Sequence, residues 1–245
     1  MGMEQPSQRL AGRLALVTGA TRGIGRAVAL AYAREGAHVI LVGRTVGALE
    51  EADDEIREIG GSATLLTLDL KRNDKIDALG PTIYQRWQKL DILVGNAGIL
   101  GPLSPLGHVP AETWDEVLQV NLTANWRLIR TLDPLLRASD AGRAIFVSSG
   151  VAVRPRAYWG PYAVSKAALE ALVRTWADEV ANTPVRVNLV NPGPTRTRMR
   201  AQAFPGEDPA TLRTPEDLAP TFVRLAEPAC TDNGRLFDLR SGEVR

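Results

Sequence analysis

The sequence of 245 residues has little cysteine and little histidine, and both shortages exclude kinds of site. Cys230 is the single cysteine, so the chain has no internal disulfide and no multi-cysteine metal motif, and it suits a reducing compartment. The two histidines are His38, which opens a predicted strand, and His108, in a predicted loop, and no ligand spacing joins them. The sequence therefore predicts no metal site.

The sequence also lacks a charge excess and a long apolar run. Lysine and arginine number 29 against 28 aspartate and glutamate, a formal net charge of +1, so no global field would hold nucleic acid or an anionic membrane. No stretch approaches the roughly 18 apolar residues of a membrane span, and residues 1–12 are polar, without the apolar core of a signal peptide. We expect a soluble cytoplasmic protein without nucleic-acid or membrane partners.

Short β-branched runs alternate with longer amphipathic stretches along the chain, which is typical of repeated βαβ units. The predicted strands cover residues 14–18, 38–42, 63–68, 92–94, 144–148, 186–190 and 236–239. The predicted helices cover residues 23–35, 46–59, 73–88, 111–137, 161–181 and 215–226, the third of them kinked at Gly80 and Pro81. The pattern predicts one α/β domain with a parallel sheet, whose ligands bind beyond the carboxyl ends of the strands.

A glycine-rich segment, TGATRGIG at residues 18–25, lies between the first predicted strand and the first predicted helix. Gly19 permits a tight turn, Gly23 lets the backbone approach a pyrophosphate, and Gly25 allows close packing of helix on strand. An ordinary tight turn is the alternative for such a segment taken alone. The predicted nucleotide contacts here are Gly19, Thr21, Arg22, Gly23, Ile24 and Gly25.

The end of the second strand favours NADP(H) over NAD. An acid at this place accepts a hydrogen bond from the ribose 2′-hydroxyl of NAD, whereas a 2′-phosphate prefers arginine. Here the strand is followed by Arg44 and Thr45 and by no acid, and Arg22 of the glycine turn would lie near the same ribose. Two solvated surface arginines are the alternative interpretation.

A possible reactive group follows Pro161, where a helix begins. Tyr162 and Lys166 lie one turn apart on it, and an ammonium near a phenol stabilises the phenolate, so we expect a lowered Tyr162 pKa and general acid/base chemistry. Ser149 ends the preceding strand and would polarise a substrate oxygen. Asn121 lies in an otherwise apolar helical stretch. Taken singly, these residues fit an exposed helix pair and a satisfied core amide equally well.

Taken together, the motifs resemble the short-chain dehydrogenase/reductase family from residue 14 to about residue 239. They occur in the family's order: TGATRGIG, GNAG (95–98), Asn121, SSG (148–150), YAVSK (162–166) and NPGPTRT (191–197). Within the family the chain resembles most the YciK-type bacterial oxidoreductases, through LDPLLRASDAG, RAYWGPYAVSK and NPGPTRTRMRA. One departure is the C-terminal LFDLRSGEVR, which lacks the family's double glycine.

The resemblance implies a fold, an assembly and an activity. The fold is a single-domain Rossmann fold over residues 13–245, after a flexible segment at residues 1–12, with a doubly wound seven-stranded parallel sheet of order 3-2-1-4-5-6-7 and helices on both faces. The assembly is a homodimer or homotetramer formed through the helices of Tyr162 and Asn121. The activity is NADP(H)-dependent reduction of a small-molecule carbonyl or oxidation of a secondary alcohol. The alternative is a non-catalytic nucleotide-sensing regulator, which we would expect to lack Tyr162 or Lys166.

The resemblance also implies roles for individual residues. Tyr162 is the general acid/base, Lys166 lowers its pKa and binds the nicotinamide ribose, Ser149 orients the substrate oxygen, and Asn121 holds a water for proton resupply. Asp69 resembles the adenine contact, and Thr195 and Thr197 resemble the nicotinamide-amide and phosphate contacts. The remaining expected cofactor contacts are Leu70, Asn96, Ala97, Gly98, Pro192 and Gly193.

Five arginines lie in the two loops that flank the predicted site. They are Arg154, Arg156, Arg196, Arg198 and Arg200. One hypothesis is an electropositive mouth that recruits an anionic carbonyl substrate. The alternative is that these arginines are solvated, or contact cofactor phosphates or a neighbouring subunit.

Overall fold

The computed structural model describes residues 8–245, and one mixed sheet forms its centre. The strands are β1 (Leu14–Thr18), β2 (His38–Gly43), β3 (Ser62–Thr67), β4 (Ile92–Gly95), β5 (Arg143–Val147), β6 (Arg186–Asn191), β7 (Leu236–Asp238) and β8 (Glu243–Val244). Their order is β3-β2-β1-β4-β5-β6-β7-β8. β1 to β7 pair in parallel, which confirms the seven predicted strands and their order, whereas β8 pairs antiparallel with β7 and was not predicted.

Nine α-helices accompany the strands within residues 8–245. They are α1 (Gly23–Arg34), α2 (Val46–Glu58), α3 (Asn73–Asp77), α4 (Leu79–Trp87), α5 (Ala111–Leu118), α6 (Ala124–Arg137), α7 (Gly160–Glu179), α8 (Arg198–Ala203) and α9 (Ala219–Ala226). The six-residue α8 was not predicted. Within the described residues, no helix is long and apolar enough to cross a membrane.

Helices cover both faces of the sheet. Successive side chains of a strand point to opposite faces, so a strand of apolar residues contributes to the core on both sides. In β1, Leu14 and Leu16 belong to a core cluster with residues of α6 and α7, whereas Ala15 and Val17 belong to a second cluster with residues of α1, α2 and α9. A strand with both faces buried is a continuous apolar run, and this is why these strands could be recognised in the sequence.

The third predicted helix is broken into two helices, so the prediction of one kinked helix was wrong. Pro81 has no N–H to donate to the carbonyl oxygen of Asp77. The Thr131 hydroxyl of α6 takes over that role, donating to Asp77 O at 2.9 Å and accepting from Gly80 N at 3.1 Å. A single side chain of α6 therefore satisfies both backbone groups at the break.

The fourth predicted helix, residues 111–137, contains a π-helical turn, Gln119–Thr123, between α5 and α6. Asn121 lies in this turn, and the side-chain amide of Asn125 donates to its main-chain carbonyl at 2.8 Å. Single π turns inside α-helices are rare and occur frequently at functional sites. The turn thus marks the position of Asn121 independently of its residue type.

The packed part of the chain begins before Arg13. Leu10 is fully buried, and its N–H donates to the carbonyl of Glu35 at 2.9 Å. Arg9 forms ion pairs with Glu35 at 2.5 Å and with Glu227 at 3.1 Å. The predicted flexible segment of residues 1–12 is therefore corrected for residues 8–12, and its residues 1–7 lie outside the described residues.

Candidate active site

A cleft of about 1520 Å³ lies beyond the carboxyl ends of the parallel strands, as an open α/β sheet predicts. The predicted site residues that line it are Gly19, Thr21, Arg22, Gly23, Ile24, Arg44, Thr45, Asp69, Leu70, Asn96, Ala97, Gly98, Ser149, Tyr162, Lys166, Pro192, Gly193, Thr195 and Thr197. Gly25 and Asn121 are not part of its lining. Both are buried behind it.

The turn between β1 and α1 has the shape of an anion-binding loop. Gly19 has a φ of +66°, which favours glycine, and a Cβ on Gly25 would lie 2.3 Å from the carbonyl oxygen of Gly19. Gly25 therefore lets α1 pack against the turn itself rather than against the strand. Arg22 precedes the helix and provides no side-chain cap, so the first N–H groups of α1 are available to an anion.

Thr18, at the end of β1, fixes the glycine turn to β4 and was not among the predicted site residues. Its hydroxyl accepts hydrogen bonds from the N–H groups of Asn96 and Ala97, both at 3.0 Å, and donates to Val94 O at 3.2 Å. The Asn96 side chain donates in turn to Thr18 O at 2.9 Å. The sequence signal that could have identified Thr18 is a hydroxyl residue directly before the first glycine of the turn.

The ends of β1 and β2 meet at one end of the cleft. A Cβ on Gly43 would lie 2.5 Å from Cγ2 of Thr21, so the glycine turn touches the end of β2. Arg22 and Arg44, the residues that follow Thr21 and Gly43, therefore flank one region, and both are exposed. Among residues 8–245, neither guanidinium forms an ion pair, whereas the neighbouring Arg26 is paired with Glu55. Two uncompensated cations thus lie where a ribose phosphate was predicted.

Asp69 and Leu70 follow β3 on the same side of the cleft. The Oδ1 atom of Asp69 accepts from the N–H of Lys71 at 3.0 Å, which fixes the carboxylate at the strand end. This is the position that the resemblance assigns to an adenine contact.

Tyr162 and Lys166 lie in the first two turns of α7, opposite the end of β5. The Tyr162 hydroxyl is hydrogen-bonded to Ser149, which lowers the phenol pKa, but burial acts more strongly and raises the pKa of Tyr162 to about 12. The Lys166 ammonium donates to Val147 O at 2.7 Å, and burial lowers its pKa to about 8. The structure thus brings the predicted serine, tyrosine and lysine together in one buried group.

The expected lowering of the Tyr162 pKa is not found, because burial outweighs the groups that stabilise the phenolate, and the contribution of Lys166 stays a prediction. The ammonium lies 5.8 Å from the centroid of the tyrosine ring and is engaged by Val147 O, so the phenol gains less from it than it loses by leaving water. The depth of this burial depends on three loops and could not be read from the Tyr-x-x-x-Lys spacing. At neutral pH, Tyr162 is therefore a neutral phenol.

Asn121 is fully buried and acts as a clamp. Its Oδ1 accepts from Ile99 N at 2.8 Å, and its Nδ2 donates to Ile99 O at 2.9 Å and to Ser165 Oγ at 3.0 Å. The amide therefore holds the loop after β4 against α7, the helix that carries Tyr162.

Asn121 and Lys166 approach each other at Gly98. A Cβ on Gly98 would lie 3.2 Å from Oδ1 of Asn121 and 3.6 Å from Nζ of Lys166. The side-chain amide of Asn121 and its main-chain carbonyl both have protein partners, and the resemblance implies that the residue also holds a water. That role stays a prediction.

The loop after β6 is fixed by its own hydroxyls and by the C-terminal residues. Thr195 Oγ1 donates to Gly193 O at 3.3 Å, and Thr197 Oγ1 caps α8 by accepting from Arg200 N at 3.2 Å. Asn191 Nδ2 donates to Oδ2 of Asp238 at 3.0 Å. The end of β7 thus supports this loop although the double glycine is missing.

Two aromatic side chains of the cleft were not predicted. Trp159 precedes α7 and Phe204 follows α8, and both line the cleft beside Tyr162. Aromatic residues make up only 5% of this sequence. The presence of two of them in the loops that flank the predicted site is the sequence signal by which they could have been recognised.

Comparisons with known proteins find a matching family model and similar chains. A family model described as short chain dehydrogenase matches residues 13–208. The uncharacterized oxidoreductase YciK of Escherichia coli (strain K12) is 42% identical over 243 residues, covering 97% of this chain and 96% of YciK.

Solved structures resemble this one along nearly the whole chain. A short chain dehydrogenase from Escherichia coli CFT073 complexed with NADPH has a TM-score of 0.90 and 42% identity, with coverage of 95% of this chain and 99% of that chain. A short chain dehydrogenase from Shigella flexneri 2a str. 301 complexed with NADP has a TM-score of 0.91 and 41% identity, with coverage of 97% and 100%.

Proposed function

The chain belongs to the short chain dehydrogenase family, and on that premise we propose that it is an NADP(H)-dependent oxidoreductase acting on a carbonyl or a secondary alcohol. The membership confirms the resemblance seen in the motifs. The observation that carries the proposal is the joint position of Ser149, Tyr162 and Lys166 in the cleft that also contains the glycine turn. A proton donor and a nucleotide-binding loop in one cleft are what hydride transfer to a carbonyl requires.

The residues of the cleft fit a dinucleotide with a 2′-phosphate. The α1 N-terminus would hold the pyrophosphate, Arg22 and Arg44 the 2′-phosphate, Asp69 the adenine, and Lys166 the nicotinamide ribose. Two structural relatives that are complexed with NADPH and NADP support this choice. Bound NADP(H) would supply or accept the hydride.

The side chains beside it handle the proton. In reduction, Ser149 donates a hydrogen bond to the substrate oxygen and Tyr162 transfers its proton to that oxygen. Burial raises the pKa of Tyr162 to about 12, so the proton that reduction needs is present on the phenol at neutral pH. The ammonium of Lys166 stabilises the phenolate left behind, which must then regain a proton from solvent.

A panel of ketones, aldehydes and alcohols with NADPH, NADH and their oxidised forms tests the proposal. We expect consumption of NADPH with at least one class of carbonyl compound, and formation of one alcohol per NADPH. Tight NADPH binding without turnover of any compound would support the alternative of a nucleotide-sensing regulator. NADPH binding is measured on the same samples by the change in nucleotide fluorescence.

We further propose that the protein forms a homodimer or homotetramer. The outer side of α7 supports this, because Val164, Ala167 and Ala171 form an exposed stripe of apolar side chains. Beside it lies an apolar groove of about 460 Å³, lined among others by Leu106 and Tyr158. Apolar surface of this kind in a water-soluble helix usually meets a partner.

A further inference from the structure

We propose that the substrate is a ketone with an apolar body and a distal carboxylate, whose body packs on Trp159 and Phe204 and whose carboxylate pairs with Arg156. The proposal rests on the function proposed above and specifies the substrate class of the same site. We call Trp159 and Phe204 the aromatic wall.

The aromatic wall begins at the reactive phenol. The ring of Trp159 lies 6.0 Å from that of Tyr162, and the ring of Phe204 lies 5.7 Å from that of Trp159. Leu100 and Val151 complete a small apolar cluster around Tyr162. A substrate whose carbonyl is at Tyr162 therefore meets apolar and aromatic surface next to its reacting group, and such surface binds flat or apolar groups.

Phe204 is held in place by a fixed ion pair. The Arg200 guanidinium lies 3.8 Å from the Phe204 ring centroid and forms two hydrogen bonds to Glu207, both of 2.5 Å. This bidentate pair occupies both groups, so Arg200 is not available to a substrate. The hypothesis of five recruiting arginines is corrected for this one.

Trp159 is positioned by a strained residue. Tyr158 has a φ of +73°, which is an outlier for a bulky side chain. Its carbonyl accepts a hydrogen bond from Ser104 N at 3.0 Å, and Ser104 also forms a parallel bridge with Trp159. Strain of this kind persists only where the surroundings enforce it, and the next residue, Trp159, lines the cleft.

Arg156 places a free positive charge at the far end of the aromatic wall. Its guanidinium carbon lies 5.6 Å from the Phe204 ring centroid, and the side chain is exposed at the cleft. In the part of the chain that the structure describes, neither Arg156 nor Arg154, two residues before it, forms an ion pair. Glu207, the acid nearest in the chain to Phe204, is neutralised by Arg200. A cleft with uncompensated cations beside apolar walls attracts and orients an anion.

The order of these groups defines the substrate. From the phenol outward, the cleft presents a proton donor, two aromatic rings and then a guanidinium. A ligand that uses all three carries a carbonyl, an apolar body and a carboxylate at the opposite end. A guanidinium and a carboxylate match in a bidentate geometry, which makes the distal group a determinant of specificity.

A matched pair of substrates tests the proposal: para-acetylbenzoate and its methyl ester, which has the same body without the charge. We expect the wild type to use the carboxylate with a kcat/KM about tenfold or more above that of the ester, corresponding to one charge-assisted contact. Arg156→Gln should reduce this ratio to near one by slowing the carboxylate alone, and added salt should reduce it in the same direction. Arg34→Gln, at an exposed arginine outside the cleft, is the control and should leave the kcat/KM of both compounds unchanged.

Two results would overturn the inference while leaving the proposed function intact: equal use of the two compounds by the wild type, or a ratio that Arg156→Gln does not change. A third is a loss of NADPH affinity in Arg156→Gln as large as the loss of kcat/KM, which would assign the arginine to the cofactor. If neither this pair nor any neutral carbonyl compound consumes NADPH, the proposed function itself fails, and the inference fails with it.

Discussion

At the residue scale, the chemistry of Tyr162 depends more on burial than on its neighbour in the helix. Sequence spacing identified Tyr162, Lys166 and Ser149 because helical periodicity and strand ends are local properties. It did not give the pKa of the phenol, because the desolvation comes from loops distant in sequence. A protonated Tyr162 at neutral pH is suited to donating a proton to a carbonyl.

Titration of the nucleotide-free protein checks this pKa. The phenolate absorbance of the wild type minus that of Tyr162→Phe isolates a single residue. We expect the difference to be absent at pH 10, the ordinary pKa of tyrosine, and to rise with a midpoint near 12, because burial disfavours the anion. Circular dichroism must show that both proteins remain folded over the range. A midpoint below 10 would mean that the Lys166 ammonium affects the pKa of Tyr162 more strongly than burial does.

The two cations at the ends of β1 and β2 give a second test at the residue scale. Arg22→Ala combined with Arg44→Ala should reduce the preference for NADPH over NADH by about tenfold or more, since each charge-assisted hydrogen bond contributes roughly 1.5–3 kcal/mol. The ratio of the two dissociation constants is the measurement, and Arg34→Ala is the matched control. An unchanged strong preference in the double variant would remove these arginines from cofactor selection.

At the scale of elements, the accuracy of the sequence predictions follows the range of the interactions involved. The parallel strands were predictable because most of them are continuous apolar runs, and their ends differ by at most one residue from the prediction. The two-residue β8 and the π turn at Asn121 have no periodicity of their own. The pairing of Trp159 with Phe204 joins two loops, and nothing local to either loop indicates it.

The break between α3 and α4 also depends on a contact between distant parts of the chain, and the contribution of that contact can be measured. Pro81 was visible, but its consequence depends on Thr131, on another helix. Thr131→Val should reduce the free energy of unfolding by about 1–3 kcal/mol, because it leaves the Asp77 carbonyl and the Gly80 N–H without their partner. Urea unfolding provides the measurement.

Thr82→Val is the matched control for this variant. The Thr82 hydroxyl donates to Ala78 O at 2.8 Å on the exposed side of α4, where water can replace it. We expect a loss within about 0.5 kcal/mol. Equal losses in the two variants would show that Thr131 has no special role at the break.

At the scale of the whole molecule, the apolar stripe on α7 remains exposed in the single chain. Val164→Lys should shift the protein towards the mass of the monomer in light scattering at micromolar concentration, because it places a charge in the proposed interface. Val46→Lys, at an exposed valine at the start of α2, is the control and should leave the mass unchanged. A wild type that is strictly monomeric at that concentration would contradict the proposed assembly.

The central claim is that this cleft carries out hydride transfer with Tyr162 as the proton donor, and one measurement tests it most directly. Turnover of a carbonyl compound with NADPH is compared between the wild type and Tyr162→Phe, together with NADPH affinity. The substitution keeps the ring and removes only the hydroxyl, so we predict a loss of kcat of about a hundredfold or more with nearly unchanged NADPH affinity. A variant that retains more than a few per cent of the wild-type kcat would contradict the account.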